Sequence, residues 1–269
     1  MLIVAKVGGR LIENGLSSNI INDTKTVLAS NKLIFVHGGG VEVTEIASKL
    51  GKEQTFITSP AGFRSRYTDK ETIKIYTMVM AGKLNKQIVT NLQSVGVNAL
   101  GLSGLDGQLI KANRKKKLII IDNRGRKRVI DGGYTGKIVS VNSKLIHLIM
   151  GGGYTPVISP IALSEEFEPL NVDGDRVAAY ISGFLKADKL ILMTDVEGLY
   201  LDETLITKLS VLEAKEILQK IGPGMITKVY AAMESLSMGV KEVIITSGLS
   251  SKPISSAIEH KRGTVISYE

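Results

Sequence analysis

Six short apolar runs, each strand-sized and most followed by a helical stretch, constrain this chain more than any other feature. They are Leu2 to Val7, Leu33 to His37, Val97 to Leu102, Thr155 to Ser159, Lys189 to Thr194 and Glu242 to Thr246. The helix candidates between and after them are Ser17 to Ala29, Val41 to Leu50, Asp69 to Ser94, Ser143 to Met150, Gly174 to Lys186, Val211 to Lys220 and Met225 to Met238. In Gly174 to Lys186, apolar Val177, Ile181, Phe184 and Leu185 recur at the spacing of a helix packed on a sheet. Apolar strands alternating with such helices predict an α/β fold, a three-layer sandwich around a mostly parallel open sheet covered on both faces.

The rhythm breaks between Gln108 and Ile138. There the runs LIKA, LIIID and KRVID are separated by polar turns such as Asn123-Arg124-Gly125, which predicts a β-hairpin insertion. A chain of 269 residues, 43% hydrophobic, can bury the core of two lobes that share one sheet. The expected lobes are 1–165, carrying the insertion near 108–138, and 166–269, with a soft boundary.

The longest apolar runs, such as Leu118 to Ile121 and Leu190 to Met193, fall far short of the ~20 residues of a membrane helix. The opening MLIVAKVGG reads as a first strand and not as a leader, so a cytoplasmic protein is expected. Zero cysteines exclude disulfides and thiolate chemistry, and His37, His147 and His260 are too scattered to suggest a metal site on the protein. His37 reads as a strand-end residue, not a base.

The net charge of +8 points to an anionic partner. It gathers at Arg114, Lys115, Lys116 and Lys117, and again at Arg124, Arg126, Lys127 and Arg128. With no tryptophan, and no aromatic residues alternating with these charges, nucleic acid is not the expected partner.

Glycines follow the strands at Lys6-Val7-Gly8-Gly9, at His37-Gly38-Gly39-Gly40 and at Leu102-Ser103-Gly104-Leu105-Asp106-Gly107. Such loops expose backbone N–H groups to an anion at the carboxyl ends of strands, where open α/β sheets bind their ligands. Neither a P-loop nor the G-x-G-x-x-G of a dinucleotide fold is present.

Taken in order, KVGG (Lys6 to Gly9), VHGGG (Val36 to Gly40), GLSGLDG (Gly101 to Gly107), NVDGD (Asn171 to Asp175), MTDVEGLY (Met193 to Tyr200) and GMITKV (Gly224 to Val229) resemble the amino acid kinase family, in its N-acetylglutamate kinase group. The resemblance covers nearly the whole chain. It implies an acceptor lobe before an ATP lobe, and phosphorylation of a carboxylate to an acyl phosphate with ATP and Mg²⁺. Such chemistry requires placed positive charge more than a base, because the acceptor is already ionised at neutral pH.

By the same resemblance Lys6 and Lys228 would neutralise charge on the transferred phosphoryl group, with Asp175 holding them. Gly39, Gly40 and Asn171 would contact the acceptor, and Arg66 its carboxylate, with Arg64 as second choice. Gly8, Gly9, Thr194, Asp195, Gly198 and Tyr200 would serve ATP. Four departures (Leu105 in place of a common lysine, the Arg64 to Arg66 segment, GGYTGKI after a basic hairpin, and no helix before the first strand) are similar to the LysW-type branch. There the substrate, 2-aminoadipate or glutamate, arrives attached to a small acidic LysW-type carrier protein, in lysine or arginine biosynthesis. A homodimer is implied too. The alternative acceptor is free N-acetylglutamate.

Overall fold

The computed structural model describes residues 1–13 and 15–268. Its centre is an eight-stranded sheet in the order Lys208–Ser210, Thr264–Ser267, Glu242–Ser247, Lys189–Thr194, Leu2–Val7, Lys32–His37, Thr155–Ser159 and Ala99–Ser103. From Glu242–Ser247 to Ala99–Ser103 every neighbouring pair is parallel, and Thr264–Ser267 turns antiparallel against Glu242–Ser247. The expected α/β sandwich is therefore present, on one continuous sheet.

Both faces of the sheet are buried, which explains why its strands are unbroken apolar runs. Val4, Ile34, Leu190 and Leu192 pack with Val177, Ile181 and Val229 on one face. Ile3, Ala5, Phe35, Ile191 and Met193 pack on the other face with Ile20, Ile73, Ile88 and Ile254. Side chains alternate along a strand, so Lys6 shares the face of Val4, which the helices Gly174–Phe184 and Pro223–Ser237 cover.

Helix starts follow local chemistry. Ser17, Asp69 and Asp173 each accept a hydrogen bond from a backbone amide of the first turn, and Ser210 with Glu213 forms a capping box. The expected helix over 69–94 is more complicated. Lys70–Thr77 and Asn85–Gln93 are α-helical, and Met78–Leu84 between them is a π-helix. That wider turn packs Leu84 and Met80 against Gly39, whose φ of 144° and lack of space for a Cβ (2.1 Å from Leu84 Cδ1) demand glycine.

The insertion is two nested antiparallel pairs. Ile110–Arg114 pairs with Gly136–Val141, and Lys117–Ile121 with Lys127–Asp131. Each pair joins a further small sheet: the outer with Ile161–Leu163 and Pro169–Asn171, the inner with Phe56–Thr58 and Arg64–Arg66. These four short strands were not expected. No helix among the described residues is long and apolar enough to cross a membrane.

Candidate active site

The carboxyl ends of the first two strands meet backbone to backbone. A Cβ on Gly9 would lie 2.9 Å from the Gly39 nitrogen, and one on Gly38 would lie 2.8 Å from the Gly9 nitrogen. Only glycine permits that approach. The Gly8 amide donates to Met193 O and the Gly38 amide to Val7 O, which extends the sheet's ladder. The amides of Gly9, Gly39 and Gly40 have no partner among the described residues.

Beside these loops one carboxylate holds two ammonium groups. Lys6 Nζ stands 2.7 Å from Asp175 Oδ1, and Lys228 Nζ donates to Asp175 Oδ2 at 3.0 Å. All three side chains are buried. The arrangement follows from the elements: the pleat turns Lys6 towards the two covering helices, one of which carries Asp175 in its first turn and the other Lys228. Burial alone would raise the Asp175 carboxyl, but the charges of Lys6 and Lys228 and their hydrogen bonds hold it well below the usual carboxylate range. Burial likewise opposes the Lys228 ammonium, and Asp175 outweighs it and raises its pKa. Both ammonium groups thus converge on one carboxylate.

A cavity of about 830 Å³ has Lys6, but neither Asp175 nor Lys228, in its lining. Lys6, Gly9, Gly39, Gly40, Arg64, Arg66 and Asn171 all line it, so the expected acceptor residues come together. Arg66 is buried, and donates to Gly40 O at 2.7 Å, to Thr44 Oγ1 at 2.9 Å and to Gln54 Oε1. Burial lowers its pKa against the neighbouring Tyr76 phenol. No carboxylate among the described residues pairs with it. Arg64 is exposed and lies over the Phe56 ring at 4.8 Å. Asn171 Nδ2 donates to Thr68 Oγ1 at 2.9 Å, which fixes its amide at the wall.

The residues expected to serve ATP lie apart from this cavity, except Gly9. Thr194 donates to Asp195 Oδ1 at 3.0 Å, and Asp195 accepts from Arg10 at 2.6 Å. Gly198 is buried against Thr264, whose hydroxyl would be 2.7 Å from a Cβ there, so its need for glycine is met by packing. Tyr200 is exposed on the hairpin Leu199–Leu201 and Thr204–Ile206.

One sequence reading needs correction. The third glycine loop does not serve the cavity: Asp106 accepts from the Ser103 amide and hydroxyl, and Gly104 presses on Ile161 O, which closes the loop on itself. The basic clusters are not uniformly free. Arg114 pairs with Glu168 at 2.9 Å and covers the Tyr134 ring, while Arg126 and Arg128 both hold Asp122. Lys115 turns into the cavity.

His37 ends the strand Lys32–His37, as expected. It is buried, its Nδ1–H donates to Gly38 O at 2.8 Å, and its Nε2 accepts from Asn85 Nδ2 at 3.3 Å. Burial lowers its pKa to about 4. Cavity residues without a sequence signal include Tyr76, Met80, Phe63 and Tyr230. Asp173 also lines the cavity, at the cap of the helix that carries Asp175.

The family model for the amino acid kinase family matches residues 1–247. A relative from Nitrosopumilus maritimus is 53% identical over 268 residues and covers 100% of both chains. One from Metallosphaera sedula, named LysW-aminoadipate/LysW-glutamate kinase, is 51% identical over 267 residues, covering 99% of this chain and 100% of its own. Among solved structures, smu.665 from Streptococcus mutans UA159 superposes with a TM-score of 0.80 at 24% identity, over 100% of this chain and 99% of that one.

Proposed function

The chain belongs to the amino acid kinase family, and from that premise we propose that it uses ATP to phosphorylate the side-chain carboxylate of carrier-bound 2-aminoadipate or glutamate, giving an acyl phosphate for lysine or arginine biosynthesis. The observation that carries this reading is the pair Lys6 and Lys228 on Asp175, with Lys6 in the wall of a cavity that also holds glycine amides and an arginine without an acid partner. The amides and Lys6 receive the reacting carboxylate, and Arg66 with Asn171 orients the acceptor. Lys6 and Lys228 neutralise charge that grows on the phosphoryl group and its leaving oxygen. Residues 1–165 act as the acceptor lobe and residues 166–269 as the ATP lobe, with Thr194, Asp195 and Tyr200 facing the nucleotide.

Among the described residues no group of acidic or imidazole side chains could cage a metal ion. Mg²⁺ therefore suits this chain as an ion carried on the ATP phosphates, where it offsets their charge. The carrier preference is supported by the names of relatives about half identical to this chain and by its exposed cations. Complementary charge speeds and orients docking of an acidic protein. A cytoplasmic homodimer completes the reading, and light scattering tests its second half.

The test supplies N-acetylglutamate, carrier-bound glutamate and carrier-bound 2-aminoadipate in parallel, and traps acyl phosphate with hydroxylamine. Turnover of a carrier-bound acceptor is expected to exceed that of N-acetylglutamate. Equal or better turnover of N-acetylglutamate would return the chain to free acetylated substrates. Lys6→Met and Lys228→Met should lower kcat far more than they raise KM for ATP, and Arg66→Ala should weaken the acceptor and spare ATP.

A further inference from the structure

The second glycine loop is held from the face of the sheet opposite Lys6. His37 ends its strand in register with Val7, and the pleat turns its ring to the face of Phe35. There it is fully buried. Its Nδ1 lies 2.8 Å from Gly38 O, and a carbonyl can only accept, so the ring, neutral at pH 7, carries its hydrogen on Nδ1 and leaves Nε2 as an acceptor. Asn85 Nδ2 donates to that nitrogen at 3.3 Å and to Val157 O at 2.9 Å, while Asn85 Oδ1 accepts from Lys86 Nζ at 3.0 Å. Every polar atom of the two buried side chains is thereby used inside the fold.

What this network controls is the peptide between Gly38 and Gly39. The Gly38 amide donates to Val7 O at 2.8 Å and its carbonyl is held by His37, so the residue is fixed at both ends. Across a planar trans peptide, the carbonyl of Gly38 and the N–H of Gly39 point in opposite directions. Holding the carbonyl towards the His37 face therefore turns the Gly39 N–H to the other side, that of Lys6 and the cavity. That amide has no partner among the described residues. A half-turn of the peptide would withdraw this donor and present the Gly38 carbonyl to an incoming anion. Glycines that permit the close approach to Gly9 also permit such a flip, so the loop needs a clamp from outside. The π-helical turn supplies its base: Leu84 ends it against Gly39, and the next residue is Asn85.

We propose that His37, seated by Asn85, is a positioning residue for the acceptor: its Nδ1–H locks the Gly38–Gly39 peptide with the Gly39 N–H directed at the reacting carboxylate. The inference rests on the reading that the glycine amides receive that carboxylate, and it adds to that site a side chain that touches neither substrate. The ring acts as a fixed donor to the backbone and moves no proton.

The test measures kcat and KM for carrier-bound glutamate, carrier-bound 2-aminoadipate and ATP on the full chain, by hydroxylamine trapping, with melting curves to establish that each variant folds. His37→Leu removes the donor at similar volume, whereas His37→Asn sets an amide nitrogen where Nδ1 stands. His37→Leu should lose about 10- to 100-fold in kcat/KM for the acceptor, the size of one charge-assisted hydrogen bond, with KM for ATP within about twofold of wild type. His37→Asn should recover most of that loss. Asn85→Ser, which loosens the ring without removing it, should fall between wild type and His37→Leu, and it decides the matter if His37→Leu does not fold. Wild-type acceptor kinetics in a folded His37→Leu or Asn85→Ser, an equal loss in His37→Leu and His37→Asn, or a loss shared equally by acceptor and ATP overturns the assignment. The reading of the site fails separately, and takes the inference with it, if the wild type yields no trappable acyl phosphate from either carrier-bound acceptor or from N-acetylglutamate.

Discussion

The Phe63 ring lies tilted against that of Tyr230, with ring centroids 5.0 Å apart. Phe63 sits in the turn between Phe56–Thr58 and Arg64–Arg66, and Tyr230 on the Pro223–Ser237 helix that also carries Lys228. Both rings line the cavity, so the contact ties its roof to the helix that holds the ammonium paired with Asp175. An aromatic pair of this kind contributes about 0.5–1.5 kcal/mol beyond its buried area. Tyr230→Ala should therefore lower kcat/KM for the acceptor by about 2- to 10-fold, while the thermal midpoint moves little. Unchanged acceptor kinetics in a folded Tyr230→Ala enzyme would remove the roof contact from the working site.

Asp175 predicts an acid-sensitive fold. Its folded pKa is depressed, so its contribution to stability is complete above the unfolded value of about 3.9 and is lost as pH falls from there towards the lower folded value. Asp175→Asn leaves two buried ammonium groups without their counter-charge, and should cost about 3–5 kcal/mol at neutral pH. The variant should also show a flatter loss of stability below pH ~4 than the wild type. Urea titrations across pH measure both effects.

The sheet and Lys6 were legible because each has a strong local signature, whereas Lys228 was reached only through the family resemblance. Unbroken apolar runs such as Lys189–Thr194 arise from burial on two faces, and Lys6 stands out as a charge within one of them. Three-residue strands such as Phe56–Thr58 and Pro169–Asn171 are too short for any period to appear, so the roof of the cavity was invisible. The π-helical turn at Met78–Leu84 is likewise unmarked, since its residues suit an α-helix and only packing on Gly39 reveals it. Lys115 looked like its neighbours in a basic run. The close passage of its backbone by Gly132, which leaves no room for a Cβ, has no signature in the run itself.

His37 should have no part in the pH–rate profile near neutrality. Because burial lowers its folded pKa from 6.5 to about 4, the unfolded chain binds a proton in that interval and the folded one does not. Stability should therefore rise with pH between those two values, by about 3 kcal/mol in total, and level off outside them. Because His37 donates to Gly38 O and accepts from Asn85, His37→Gln is the conservative replacement. It should remove most of that slope while kcat keeps the same pH dependence. A kcat limb that disappears with the substitution would make His37 part of the chemistry.

The hairpin cations divide into those that hold the hairpin and those free to meet a partner. Arg126 and Arg128 pair with Asp122, which also accepts from the amides of Arg124 and Arg126, so reversing them would disturb the turn itself. Lys116, Lys117, Arg124 and Lys127 are exposed, and none of them forms an ion pair among the described residues. Exposed charges act over about 10 Å at 0.1 M salt, so docking of an acidic carrier through these four should weaken as ionic strength rises. Reversing Lys116, Lys117, Arg124 and Lys127 to Glu should lower kcat/KM for the carrier-bound acceptor by about 10-fold or more at low salt. The difference from wild type should shrink as salt is added, and KM for ATP and the thermal midpoint should stay within error. A quadruple variant that turns over carrier-bound acceptor normally at low salt would show that the carrier docks elsewhere on the molecule.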